Sequence, residues 1–164
     1  MSNEVHTAAR VPLYVRFVNP IIKPLLRLGL RRAPMALLTV HGRRSGRPRT
    51  TPVGLLVLDG RRYLFSAFGE VNWVRNLRAS GVATIGVGRQ RETLRAAELS
   101  AEEAGRVIRS ILKTPAYGSV VRPYFPVSDD APLTEFVQEA RRHPVFELGV
   151  AAVSSAAENA SRQS

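Results

Sequence analysis

The chain contains no cysteine. That one absence excludes disulfides, thiolate metal sites, iron–sulfur clusters and a cysteine nucleophile. Histidine is scarce as well. His6, His41 and His143 lie far apart, and none has an i,i+4 partner with which to build a zinc site, so no metal is expected. A Gly-x-Ser-x-Gly elbow and a Walker loop are both missing. Gly86-Val-Gly88 opens a Gly-x-Gly pattern, but Arg91 stands where its third glycine belongs, and a hairpin turn is the simpler reading. Glu102–Glu103 and Asp129–Asp130 are adjacent carboxylates, and neither pair makes an acid/base couple. No apolar run reaches the ~18 uncharged residues that a membrane span needs. The segment from Val11 to Leu30 is interrupted by Arg16, Lys23 and Arg27, which also argues against a signal peptide. A cytoplasmic protein is expected.

What is present is positive charge. Among 164 residues, 24 are Lys or Arg and 13 are Asp or Glu, a formal charge of +11. Residues 1–50 carry ten basic residues against one acid, whereas residues 51–164 carry fourteen against twelve. Charge gathered in this way suits an anionic partner: nucleic acid, phospholipid or a small polyanion. With 45% hydrophobic residues the chain can fill one core, so a single domain over 11–151 is expected, between a flexible arm (1–10) and a disordered tail (152–164).

Leu13, Tyr14, Phe17, Val18, Ile21, Ile22, Leu25 and Leu28 recur at helical spacing, opposite Arg16, Lys23, Arg27 and Arg31. This predicts a basic amphipathic helix over 13–30, bent at Pro20 and Pro24. Two roles fit it: a cover for one end of the core, or a peripheral contact with anionic lipid. The period then shortens to two. Strands are predicted at Met35–His41, Arg49–Leu58, Arg61–Phe68, Val82–Val87, Glu92–Leu99 and Val145–Val150. Asp59-Gly60 is a type I′ hairpin turn. Helices are predicted at Val71–Ala79, from Ser100 to Lys113 behind a Ser100–Glu103 capping box, and at Leu133–Arg142. Short hairpin-linked strands with interspersed helices imply an α+β fold, a small antiparallel barrel of six strands with peripheral helices.

The richest segment is Gly42-Arg-Arg-Ser-Gly-Arg-Pro-Arg-Thr-Thr-Pro52. Four guanidiniums in seven residues surround two glycines, and arginine offers the planar, paired donors that match phosphate or carboxylate. A solvated basic hairpin is the plain alternative. A minor-groove hook is not supported, because Ser45 replaces its inner arginine, and no specific nucleic-acid partner is expected.

The run from Leu37 to Val53, followed by Phe68-Gly-Glu-Val-Asn-Trp-Val-Arg-Asn-Leu-Arg78, resembles the deazaflavin-dependent nitroreductase family over about 19–113. The resemblance implies a six-stranded antiparallel split β-barrel that binds coenzyme F420, with FMN as the alternative flavin. It implies that Arg43, Arg44, Ser45 and Gly46 hold the phosphate, reinforced by Arg49. It places Thr51, Pro52 and Val53 along the deazaflavin ring, Ser66, Ala67, Phe68 and Gly69 on its other side, and Trp73 and Asn76 against it. Without the family, Trp73 reads as a core aromatic. The implied reaction passes a hydride from carbon 5 of the reduced cofactor to a small electrophile such as a nitroaromatic, a quinone or an activated alkene. Tyr117 and Tyr124 are the candidate proton donors, or else they seal the barrel. In some active nitroreductases of that family a hydroxyl residue stands where this chain has Phe68, and a bulky aromatic where it has Gly54. The chain is expected as a monomer or a homodimer.

Overall fold

The computed structural model describes residues 35–115 and 122–150. The N-terminal arm, the 13–30 helix, Tyr117 and the 152–164 tail lie outside them. Six strands, β1 (Met35–His41), β2 (Pro48–Leu58), β3 (Arg61–Phe65), β4 (Val82–Val87), β5 (Gln90–Glu98) and β6 (Val145–Val150), form a closed barrel in the order β1-β2-β3-β6-β5-β4. Every neighbouring pair is antiparallel. The α-helices among the described residues are α1 (Asn72–Ser80), α2 (Ala101–Lys113) and α3 (Leu133–Ala140).

The two-residue period sends alternate side chains to opposite faces of the barrel wall. Leu38, Val40, Val53, Leu64, Ile85, Leu94, Phe146 and Leu148 fill the interior, and α1 closes it with Val74 and Leu77. The opposite parity of β2 and β3, Leu56 and Tyr63, packs outside the barrel against Ile108, Ile111 and Phe136 of α2 and α3. Full burial of each such side chain is worth roughly 1.5–3 kcal/mol, so both layers are needed to hold the wall.

Local chemistry sets the element ends. Asp59 and Gly60 both adopt positive φ, +48° and +75°, as a type I′ turn requires. The Ser100–Glu103 capping box forms in full. The hydrogen bonds from Ser100 hold the Glu103 carboxyl below its usual range. β3 ends three residues earlier than its apolar run suggests. After Phe65 the chain leaves β2: the Ser66 N–H donates to the Pro144 carbonyl at 3.0 Å, and the Ser66 hydroxyl turns back to the Gly69 carbonyl at 2.5 Å. α3 likewise stops at Ala140, before Arg142.

Candidate functional site

Because β3 departs at Phe65, β2 loses one neighbour along half its length. Residues Gly54 to Leu58 pair with β3, whereas residues 48–53 pair with β1 alone. The edge that carries Thr51, Pro52 and Val53 therefore has alternate backbone groups with no strand partner. The turn of Ser66, Ala67, Phe68 and Gly69 follows the point of divergence. The split in the wall thus runs between the two segments that the family resemblance implies as the sides of one site.

The basic turn Gly42–Arg47 stands at the head of β2. The Gly42 N–H donates to the Arg47 carbonyl at 2.9 Å, and the Gly42 carbonyl accepts from Ser45 and Gly46 at 3.2 and 2.8 Å. Gly46 has φ +63°, and a Cβ there would meet nothing within 4 Å, so the backbone is open to approach. A Cβ on Gly42 would stand 2.8 Å from the Ser45 hydroxyl oxygen, which keeps that position small. Arg43, Arg44, Ser45, Gly46, Arg47 and Arg49 are all exposed. None of these four arginines has a carboxylate partner among the described residues.

Asn76, on α1, connects the two motifs. Its Oδ1 accepts from the Arg43 backbone N–H at 3.2 Å and from the Arg43 guanidinium at 3.0 Å. The residue is only 6% exposed. Trp73 leans on the barrel interior, its ring 5.9 Å from Phe146, and remains partly exposed. Val53 is buried in the interior cluster, so the route from it to a ligand is through its backbone. Ser66 is spent internally, since its N–H, hydroxyl and carbonyl are all engaged, the last by His143 Nδ1 at 3.0 Å.

Aromatic side chains wall the divergence. Tyr124, in a short 3-10 turn (Arg122–Tyr124), meets Phe68 edge-on at 5.5 Å. Its hydroxyl has no hydrogen-bond partner among the described residues. Phe125 packs on Phe65 at 6.0 Å and on His143 at 4.7 Å. Arg122 ties this stretch down, donating to the Val127 carbonyl at 2.8 Å and pairing with Asp129. A Cβ at Gly54 would stand 2.6 Å from the Phe65 ring, so Phe65 occupies the room that a larger residue at position 54 would take.

Sequence reasoning missed two connections. His143 carried no motif, yet it links Ser66, Phe125 and, at 3.6 Å, Glu139. The pairing of Asn76 with Arg43 joins residues 33 apart in the chain, and each of them had been assigned to the cofactor separately.

The chain is similar to several solved structures. A structure of an F420-H2 dependent reductase (FDR-A) is 19% identical and covers 70% of this chain and 93% of its own, with a TM-score of 0.48. A structure described as a domain-swapped dimer is 17% identical, covers 81% of this chain and 97% of its own, and reaches 0.50, which shows a shared fold. The protein Atu2129 from Agrobacterium tumefaciens str. C58, of unknown function, is 19% identical and covers 90% of this chain and 58% of its own, with a TM-score of 0.49. No curated protein matches the chain at a significant level. The model of the F420H2-dependent quinone reductases matches residues 25–122, well over half the chain. The chain therefore belongs to the F420H2-dependent quinone reductase family and is an F420-dependent reductase.

Proposed function

We propose that the basic turn, the open edge of β2 and the 66–69 turn form one site, where reduced F420 reduces a small quinone. The observation that carries this reading is the coincidence of the cationic turn with the free half of β2. The donor set fits the cofactor's phosphate: guanidinium forks, the open backbone at Gly46, and an Arg44 backbone N–H with no acceptor among the described residues. When bound, reduced F420 supplies a hydride that, with one proton, converts a quinone to its hydroquinone.

The protein's part is placement. Arg44, Arg47 and Arg49 bind the anion, and Arg43 faces it from a fixed position. Backbone groups of Thr51 and Val53 and the ring of Pro52 line one side of the split. Ala67, Phe68 and Gly69, on the turn that Ser66 closes, line the other, and Trp73 borders it from α1. The aromatic wall excludes water, and the Tyr124 hydroxyl, which has no hydrogen-bond partner among the described residues, gives the product oxygen its proton. Anaerobic turnover with F420H2 and a small quinone tests the reading. Saturable quinone reduction is expected, with kcat lower in Y124F and KM for F420H2 raised in R44A. Failure of every small quinone to accelerate F420H2 oxidation would overturn the choice of acceptor. An unchanged KM in R44A would overturn the site.

A further inference from the structure

Ser66 and Asn76 are the buried polar side chains among the described residues. Ser66 closes its own turn. Asn76 spends both hydrogen bonds of its Oδ1 on one residue, Arg43, in the other motif. Both partners are donors, so the accepting atom must be the amide oxygen and the side-chain orientation is fixed by chemistry. The amide nitrogen has no acceptor among the described residues. No described side-chain nitrogen or oxygen is both sealed from solvent and unpartnered.

The partner's charge state is the telling feature. Elsewhere among the described residues, a guanidinium that donates two hydrogen bonds to one side chain donates them to a carboxylate, Arg62 to Glu92 and Arg78 to Glu98, whereas the Arg43 guanidinium donates a single bond to an amide, backed by its own backbone N–H. A carboxylate fixes the guanidinium and also cancels its charge. A neutral amide oxygen fixes it and leaves the full positive charge for something else. An apolar side chain at this buried helix position would avoid the cost of desolvating an amide. The amide at position 76 makes physical sense as a holder of Arg43.

From this we infer that Asn76 is a positioning residue for anion recognition: a neutral acceptor that sets Arg43 in place without quenching it. The inference rests on the proposed assignment of the basic turn to the cofactor phosphate, and it predicts that the amide's neutrality matters more than its shape. N76D keeps the acceptor and the volume but adds the charge.

The experiment compares wild type, N76D, N76A, R43A and the N76D/R43A double variant. It measures KM and kcat for F420H2, binding of a deazaflavin lacking the phosphate, and the thermal midpoint. N76D is expected to melt at or above the wild-type temperature and to raise KM by about tenfold through the neutralised guanidinium. Its kcat and its affinity for the phosphate-free deazaflavin should stay within about twofold of wild type. In the R43A background N76D should add little, because residues that act as a unit are not additive. A folded N76D with wild-type KM, or an effect that persists undiminished without Arg43, overturns the inference while leaving the site standing. If N76D does not fold, R43A decides: an unchanged KM overturns the inference, and a raised KM that N76A reproduces supports it. A wild-type chain that does not bind F420 overturns the site and the inference together.

Discussion

Two populations of arginine among the described residues differ in what they meet. Outside the basic turn, seven of the twelve described arginines meet carboxylates, Arg61, Arg62, Arg75, Arg78, Arg106, Arg122 and Arg142, while Arg89, Arg91, Arg95, Arg109 and Arg141 stand dispersed without one. Arg78 is the fullest case, gripping Glu98 at 2.6 and 2.7 Å and Glu70 at 3.0 Å, and so tying α1 to β5 and to the loop before it. The Glu98 hydrogen bond, with help from Glu70, raises the Arg78 pKa above its ordinary value. Within the turn, Arg43 meets an amide, and Arg44, Arg47 and Arg49 meet no carboxylate among the described residues. The sequence supplies a reason, since no acid occurs between Glu4 and Asp59. A charge with a carboxylate partner holds the fold together; a charge fixed in place without one is available to a ligand.

Exchanging the properties of the two populations tests the distinction. The largest effect should come from R44A/R49A. Hydrogen bonds to charged groups are worth roughly 1.5–3 kcal/mol each, so losing two should weaken F420 binding by about 100-fold or more. Both side chains are exposed, and the thermal midpoint should stay within about 1–2 °C. A fluorescence titration and a melting curve check this pair of outcomes.

Next in size is the reverse change, giving the turn a carboxylate of its own. S45D, at an exposed position, should weaken F420 binding by about tenfold and make the remaining affinity less sensitive to salt. Unchanged affinity would mean that the turn's net charge is irrelevant to binding.

Removing a paired arginine should do the opposite. R78A is expected to lower unfolding stability by about 0.2–1 kcal/mol, the usual worth of partly exposed ion pairs, and to leave F420 affinity unchanged. Urea denaturation beside the same titration separates the two readouts. A cofactor defect in R78A as large as that of R44A would erase the distinction.

The smallest effect concerns pH. The Arg62 hydrogen bond holds the Glu92 carboxyl below its ordinary value. The pair's contribution is therefore complete above the ordinary Glu range and disappears as pH falls through the lowered value. Wild type and R62A should differ in stability at neutral pH and converge in acid. A gap that widened on acidification would reverse the assigned sign.

Much of the fold was legible because its signals are local. The two-residue period marked all six strands, Asp59-Gly60 marked its turn by requiring positive φ twice, and Ser100 and Glu103 announced α2. The end of β3 was not legible. Phe68 continues the apolar run, but Ser66 is drawn away by Pro144, a partner 78 positions later, and only the closed barrel brings the two together. The site divides in the same way. Its cationic turn stands out as composition, and its ring-lining segments came from likeness to a family. Asn76 as a neutral support for Arg43, His143 as a tie between Ser66 and Phe125, and Phe65 filling the space over Gly54 all depend on tertiary contacts that no single segment encodes.

The most direct measurement is a paired titration, at about 150 mM salt where superficial attraction is screened. Wild type and R44A/R49A are each titrated with F420 and with the phosphate-free deazaflavin. Wild type should prefer F420 by about 100-fold or more, and the variant should lose that preference while keeping its melting temperature. Equal affinity of wild type for both ligands, or a preference that survives without Arg44 and Arg49, would contradict the assignment of the turn as the anion site.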